Sequence, residues 1–281
     1  LENPNNRFAS EVYFADGPIM NRYFEKENRK YIEYREIPQS VIDALIATED
    51  VRFYDHSGVD VRGLFRVAKG LLTANTSAGG GSTISQQLAK MLFPRESDLN
   101  VFELAIRKFR EWVIAVRLEK SYTKEEILWD TLFKRYSLPK EYRYYYDFLN
   151  LAVGISSAAD IYFQVPLDSL KVEQAAMLIG MAKNSSYYNP VRRPELTLNR
   201  RNVVLSQMYK YDKITREECD SLKKLPLGLN FKRVDHKEGL ATYFREYLRL
   251  FMTANKPDRK RYRDLSQFRL DSVAWETNPL Y

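Results

Sequence analysis

Glu49 and Asp50 form an acidic pair inside Ile46–Gly58, a stretch that reads IATEDVRFYDHSG. Phe53 and His56 follow at four and seven residues from Glu49, and Gly58 can end the turn. A carboxylate at a helix end, held by an aromatic ring and an imidazole, can serve as a general base at a cleft edge. The same pattern also suits an ordinary solvated helix end, since charged groups are mostly exposed. A second group is Ser82, Thr83, Gln86, Gln87 and Lys90. Thr83 and Gln86 stand at capping-box spacing, and such a helix start offers backbone N–H groups to an anion. Lys90 would add a point charge for a phosphate. Mutual capping of Thr83 and Gln86 is the plainer reading. The third group is Arg107, Lys108 and Glu111. Lys108 and Glu111 interrupt an otherwise apolar stripe, either as a cleft wall or as a satisfied ion pair. Arg107 precedes Glu111 by one helical turn, where a surface pair adds only ~0.3–0.5 kcal/mol.

The elements that must position these groups read as helices. Pro38-Gln39-Ser40 starts a pattern with Val41, Ile42, Leu45 and Ile46 on one face. Val61, Leu64, Phe65, Ala68, Leu71 and Leu72 follow a second helical period. Thr83 and Pro94 bound a third helix. Asn100 opens a long one through Lys120, with Phe102, Ile106, Phe109, Val113 and Val116 as its expected core stripe. Its second stripe is Leu104, Lys108, Glu111, Ala115 and Leu118. Upstream, Glu11–Phe14 and Arg22–Phe24 flank Asp16-Gly17 as a small hairpin, and Tyr31–Tyr34 suits another strand. Thr73–Gly81 is a low-complexity run of small residues, either a linker or a lid beside a cleft. Thr215 and Glu218 make a capping box, Gly239–Ala254 reads as an aromatic-rich helix, and Asp258–Asp264 is a solvated charge run.

Composition narrows the classes. The 281 residues are 44% hydrophobic, enough for a substantial core. Lys and Arg total 44 against 37 Asp and Glu, a net +7 that suits phosphate, an acidic lipid surface or nucleic acid. Cys219 is the only cysteine, which excludes an internal disulfide and thiol metal sites. His56 and His236 are the only histidines, which argues against a His-rich metal site but leaves a carboxylate-bound cation open. No run reaches the ~18–20 apolar residues of a membrane span. No signal peptide is evident. The chain begins at Leu1, so a membrane anchor is expected to precede it.

EDVRFYDHSG, GGSTISQQLAK, RKFRE and RRNVVL occur in the order seen in the peptidoglycan glycosyltransferase family. That family is the glycan-polymerising module of class A penicillin-binding proteins and of monofunctional transglycosylases. The resemblance covers roughly Ile37 to Met208, and four motifs in order are far more specific than any one. Gly154-Ile155, Ala158-Ala159, Tyr162-Phe163, Glu173–Leu178 and Tyr188-Asn189-Pro190 agree as well. The resemblance implies a mainly α, lysozyme-like fold with two lobes, a head and a membrane-facing jaw, besides the small N-terminal hairpin. It implies polymerisation of lipid II, in which an acceptor 4-hydroxyl attacks C1 of the donor MurNAc and undecaprenyl pyrophosphate leaves with inversion. Glu49 then matches the general base and Glu111 the second essential carboxylate. Asp50, Phe53, His56, Ser82, Thr83, Gln86, Gln87, Lys90, Arg107, Lys108, Arg200 and Arg201 match substrate-binding positions.

That chemistry suits these residue types. A sugar hydroxyl is a poor nucleophile, so a carboxylate must take its proton. The leaving pyrophosphate needs cations or a divalent metal, Mg or Mn, and no organic cofactor is expected. Inverting glycosidases space their carboxylates ~6.5–9.5 Å apart to admit water, and a sugar acceptor needs at least that room. The expected partners are lipid II, the growing glycan, the membrane surface and cell-wall synthesis proteins, without nucleic acid. The expected location is the outer face of the bacterial cytoplasmic membrane. The expected division is 1–36 for the hairpin and linker, 37–225 for the catalytic domain, and 226–281 for an extension toward a downstream, transpeptidase-type domain.

Three departures stand out. Ser85 replaces the usual Thr. The connection from Lys90 to Glu111 is a few residues longer than typical. The fourth motif reads Ile127-Leu128-Trp129-Asp130-Thr131-Leu132-Phe133 and carries no assigned site role. Lys134–Tyr146 follows it, with five tyrosines among Lys and Arg, and Pro139 forbids one regular helix there. This segment is either a packed surface insertion or an interfacial skirt for an anionic leaflet. Ser121-x-x-Lys124 and Ser221-x-x-Lys224 match a penicillin-binding pattern without its partner motifs, which makes them coincidences. Two rivals remain at this level. A lytic hydrolase would use carboxylates but not phosphate-directed lysines. A nucleic-acid-binding module would explain the charge but not the ordered motifs.

Overall fold

A computed structural model of the chain describes residues 10–13, 15–17, 19–23, 28–29, 32–72, 81–92, 100–135, 152–232, 243–244, 247 and 257–277. The expectations for Thr73–Gly80, for the segment after Arg135 through Asn150, and for most of Gly239–Ala254 lie outside the described residues. Two compact units divide the chain, residues 1–8 with 26–233 and residues 9–25 with 234–281. The second unit holds strands β1 (Ser10–Tyr13) and β2 (Ile19–Tyr23), paired antiparallel, and the C-terminal helix α10 (Leu265–Thr277). The first unit holds every residue of the site.

Nine helices are described in that first unit: α1 (Gln39–Glu49), α2 (Val61–Leu72), α3 (Ile84–Leu92), α4 (Val101–Ser121), α5 (Lys124–Arg135), α6 (Ile155–Phe163), α7 (Val172–Met181), α8 (Pro194–Lys210) and α9 (Arg216–Lys224). A two-residue parallel bridge joins β3 (Asn28–Arg29) to β4 (Ala152–Val153). The described residues are mainly helical. Helix α7 is buried from Ala175 to Met181, the signature of a helix covered on all sides. Helices α1 and α8 pack on it and on each other. On α1 the buried residues are Val41, Ile42, Ala44, Leu45, Ile46 and Ala47, the face its periodicity predicts. A second cluster joins α3 to α4 and α5. Ile127, Leu128 and Leu132 of the departing fourth motif lie in its core, and the Trp129 indole donates to the Ile32 carbonyl at 2.7 Å.

Helix starts follow their side-chain caps. Asn100 accepts from Glu103 N–H (2.9 Å) while the Glu103 carboxylate takes Asn100 N–H (2.8 Å). Thr215 and Glu218 do the same for α9. Tyr34–Glu36 corrects the expected strand: it is one 3-10 turn, because the Glu36 carboxylate folds back to accept Glu33 N–H at 2.5 Å.

Helix α4 corrects a second expectation. The stripe predicted as core is exposed, with Phe102 at 74% and Phe109 at 64%, and Ile106 and Val113 also exposed. Glu111, Ala115 and Leu118 of the mixed stripe are buried instead. Periodicity found both stripes; the polar one faces α3 because Lys108 and Glu111 have partners there.

Arg201 is 1% exposed. Its guanidinium donates to the carbonyls of Leu225 (2.8 Å), Pro226 (2.9 Å) and Lys223 (3.2 Å). It thus ties the end of α9 to α8. Its neighbour Arg200 donates to the Gly180 carbonyl at 3.3 Å and lies over the Tyr188 ring. Replacing Arg201 by Met strands three carbonyls and should cost about 3 kcal/mol in urea unfolding. Arg200→Met should cost less than about 1 kcal/mol, so equal losses would contradict this placement.

Candidate active site

Helix α1 ends at Glu49 because the chain turns extended at Asp50, whose N–H still closes on the Ile46 carbonyl at 3.0 Å. Phe53–Asp55 then makes a single 3-10 turn. Phe53 is fully buried, edge-on to His56 and under the Lys124 ammonium at 4.3 Å. The Asp50 carboxylate is buried as well. It accepts from His56 Nε2 at 3.0 Å and from Ile84 N–H at 3.0 Å. Gly58 N–H donates to His56 Nδ1 at 3.2 Å, which assigns the imidazole proton to Nε2. Helix α3 therefore already has an anion at its N-terminus, the Asp50 carboxylate. The expected open anion site there is occupied from within the chain.

Gly58 lies against the backbone of α4. A Cβ there would sit 2.7 Å from the carbonyl of Ala115, and the positive φ of 93° favours glycine independently. The Gly58 carbonyl accepts from the Thr83 hydroxyl at 2.7 Å. Thr83 in turn accepts Gln86 N–H at 3.2 Å, half of the predicted capping box. The other half is absent. The Gln86 amide turns instead to the Gly58 carbonyl (3.5 Å) and to Lys108 Nζ (3.3 Å).

Helix α3 meets two kinds of charge along its length. Gln87 Nε2 donates to Glu49 Oε2 at 2.9 Å. Lys108 Nζ donates to Ser82 Oγ (2.9 Å), Gln86 Oε1 (3.3 Å) and Glu111 Oε2 (3.1 Å). Lys90 Nζ stands 3.7 Å from the same Glu111 oxygen. Glu111 is thus the counter-ion of two lysines. Among the described residues no ion pair joins it to Arg107, which is half-buried on α4.

The predicted catalytic and substrate-binding residues accordingly divide. Glu49, Ser82, Gln87, Lys90 and Lys108 keep partial exposure around α3. Asp50, Phe53, Thr83 and Gln86 are buried, as is the His56 side chain, and their bonds run to neighbouring parts of the chain. The sequence reading missed another group. Lys124 Nζ bonds Glu119 Oε2 (2.6 Å) and the carbonyls of Phe53 (2.5 Å) and His56 (2.7 Å). The second Glu119 oxygen accepts from Ser85 Oγ at 2.5 Å. Thr123 and Glu126 cap α5 reciprocally, a signal that places Lys124 in the first turn but says nothing of its partners. Asp60 caps α2 through Gly63 N–H and pairs with Arg52 at 2.5 Å. Burial pushes the Asp60 carboxyl up, but the Arg52 and Gly63 bonds outweigh it and hold it below the usual carboxylate range.

Among the described residues no three His, Cys, Asp or Glu side chains come together as a metal cage. Asp50 is bonded to His56 and Ile84, and Glu111 to two ammoniums, so neither fits a cation held by protein ligands.

A family model described as Transglycosylase matches residues 16–209. The chain is 36% identical to penicillin-binding protein 1A of Escherichia coli (strain K12), over 82% of this chain and 25% of that protein. It is 36% identical to penicillin-binding protein 1A of Haemophilus influenzae, over 79% of this chain and 24% of that protein. A crystal structure of penicillin-binding protein 1A from Haemophilus influenzae aligns at a TM-score of 0.43 with 21% identity, covering 86% of this chain and 24% of that one. The chain spans about a quarter of the length of these relatives. With most of its length matched by the family model, the chain belongs to the transglycosylase family.

Proposed function

We propose that the chain is a peptidoglycan glycosyltransferase that polymerises lipid II into β-1,4-linked glycan. The observation that carries this reading is the arrangement on α3. Gln87 reaches the Glu49 carboxylate, while Gln86 and Lys90 reach the Lys108–Glu111 pair. One helix therefore holds a proton acceptor and two cations at adjacent positions.

In the proposed reaction the acceptor 4-hydroxyl oxygen attacks C1 of the donor sugar. The new O4–C1 bond forms as the C1–oxygen bond to pyrophosphate breaks, and that electron pair leaves with the phosphate. Glu49 takes the hydroxyl proton. Lys108 and Lys90 meet the developing negative charge, with Glu111 keeping both ammoniums in place. A lytic hydrolase would put water in place of the acceptor sugar and would leave the two fixed lysines without a task.

The membrane surface belongs to the same reading. No described helix is long and apolar enough to cross a membrane. Phe102, Leu104, Ile106, Phe109 and Val113 of α4 are nevertheless exposed, as are Val61 and Phe65 of α2. A helix with such a face can lie in the headgroup region, where a lipid-linked substrate is found. The location proposed is the outer face of the bacterial cytoplasmic membrane.

Glu49→Gln keeps the size of the side chain but cannot accept a proton. Polymerisation of lipid II in detergent should fall by at least ~10²-fold with the fold retained; near-normal turnover would remove Glu49 from the base role. Lys108→Ala should instead weaken binding of lipid-pyrophosphate ligands, and unchanged affinity would remove the phosphate role. Phe102→Ser with Phe109→Ser should lower binding to anionic liposomes while leaving thermal stability close to wild type, because both rings are exposed. Wild-type liposome binding by that variant would exclude this face.

A further inference from the structure

We propose that Lys124 is a positioning residue for the reaction: its ammonium fixes the Phe53–His56 turn, and through it the Asp50 carboxylate beside Glu49. The proposal rests on the reading of Glu49 as the base. Lys124 opens α5, and its side chain is 21% exposed. An ammonium has three protons. Here each has an acceptor, at Phe53 O (2.5 Å), His56 O (2.7 Å) and Glu119 Oε2 (2.6 Å).

Those acceptors lie at strategic points. The two carbonyls bracket the 3-10 turn after Asp50. Between them the Phe53 ring lies under the same ammonium. Beyond them His56 donates to Asp50, and Gly58 receives the Thr83 hydroxyl. The turn is thus held by the α4–α5 corner on one side and by α3 on the other. Glu119 completes the link, since its second oxygen accepts from Ser85 in the first turn of α3. Ser85 stands where the resembled family usually has Thr, and it keeps the hydroxyl that this link uses.

Removing the ammonium frees two carbonyls of the turn and leaves the Glu119 carboxylate unpaired. The His56 ring then loses the backbone that aims Nε2 at Asp50 and Nδ1 at Gly58. Small displacements of a base are costly in rate: a shift near 1 Å can lower turnover by about 10²-fold. Lys124 has no assigned contact with substrate, so affinity should be little affected.

The experiment uses the full chain labelled with 15N-histidine, carrying His236→Gln so that one imidazole remains. In the wild-type background the ring nitrogens should show one protonated Nε2 and one bare Nδ1. Lys124→Met, studied well below its unfolding temperature, should show an averaged tautomer. Its kcat on lipid II should fall about 10²-fold while KM stays within about threefold. Lys124→Met with Glu119→Gln removes both charges and should behave the same way if the single variant does not fold. A fixed tautomer in either folded variant overturns the proposal, whatever its turnover. An averaged tautomer with wild-type kcat overturns it too, and so do two variants that both fail to fold, since Lys124 would then serve stability alone. A wild-type chain that does not polymerise lipid II at all would defeat the functional reading, while the imidazole signature would still report on the turn.

Discussion

The buried carboxylate of Asp50 is the interaction on which the rest of the site depends. A carboxylate out of water is stable only when bonded donors replace its hydration. Asp50 finds two, His56 Nε2 and Ile84 N–H, each at 3.0 Å. One donor belongs to the turn that follows α1, the other to the first residue of α3. The charge also meets the positive end of the α3 dipole. Satisfying one buried group therefore pins the end of α1 to the start of α3. Glu49, the last residue of α1, is left beside Gln87, one turn into α3.

From that junction the site extends along α3. Gly58 lets the turn lie on the α4 backbone, where any side chain would collide with Ala115. Its carbonyl gathers Thr83 and Gln86, and Gln86 passes the contact to Lys108. Glu111 then holds Lys108 and Lys90 together. The buried side chains perform no chemistry in this account. They convert a helix packing arrangement into a fixed relation between the Glu49 carboxylate and a pair of cations.

Much of this was legible in the sequence, for identifiable reasons. The start of α4 was readable because Asn100 and Glu103 cap each other locally, and α1 because its apolar residues recur at helical spacing on one side. The orientation of α4 was not readable. Its two stripes have the same period, and only the partners of Lys108 and Glu111 decide which one is buried. Phe53, His56, Thr83 and Gln86 belong to motifs that look substrate-facing, yet motif spacing says nothing about depth. Arg201 sits one residue from Arg200 and serves the end of α9, because its acceptors are carbonyls of Lys223, Leu225 and Pro226. Lys124 was missed for the same reason: backbone acceptors leave no trace in residue type.

In the proposed reaction Asp50 acts by holding Glu49 in position. Steady-state polymerisation kinetics of Asp50→Asn test it most directly. Ile84 N–H and His56 Nε2 share Oδ2, and His56 Nε2 also lies 3.2 Å from Oδ1. An amide with its oxygen at the Oδ2 position removes the charge both donors meet and sets its NH2 group against the imidazole. kcat on lipid II should fall at least ~10-fold while KM remains near wild type, the signature of a lost transition-state geometry. A folded Asp50→Asn variant with wild-type kcat would contradict it.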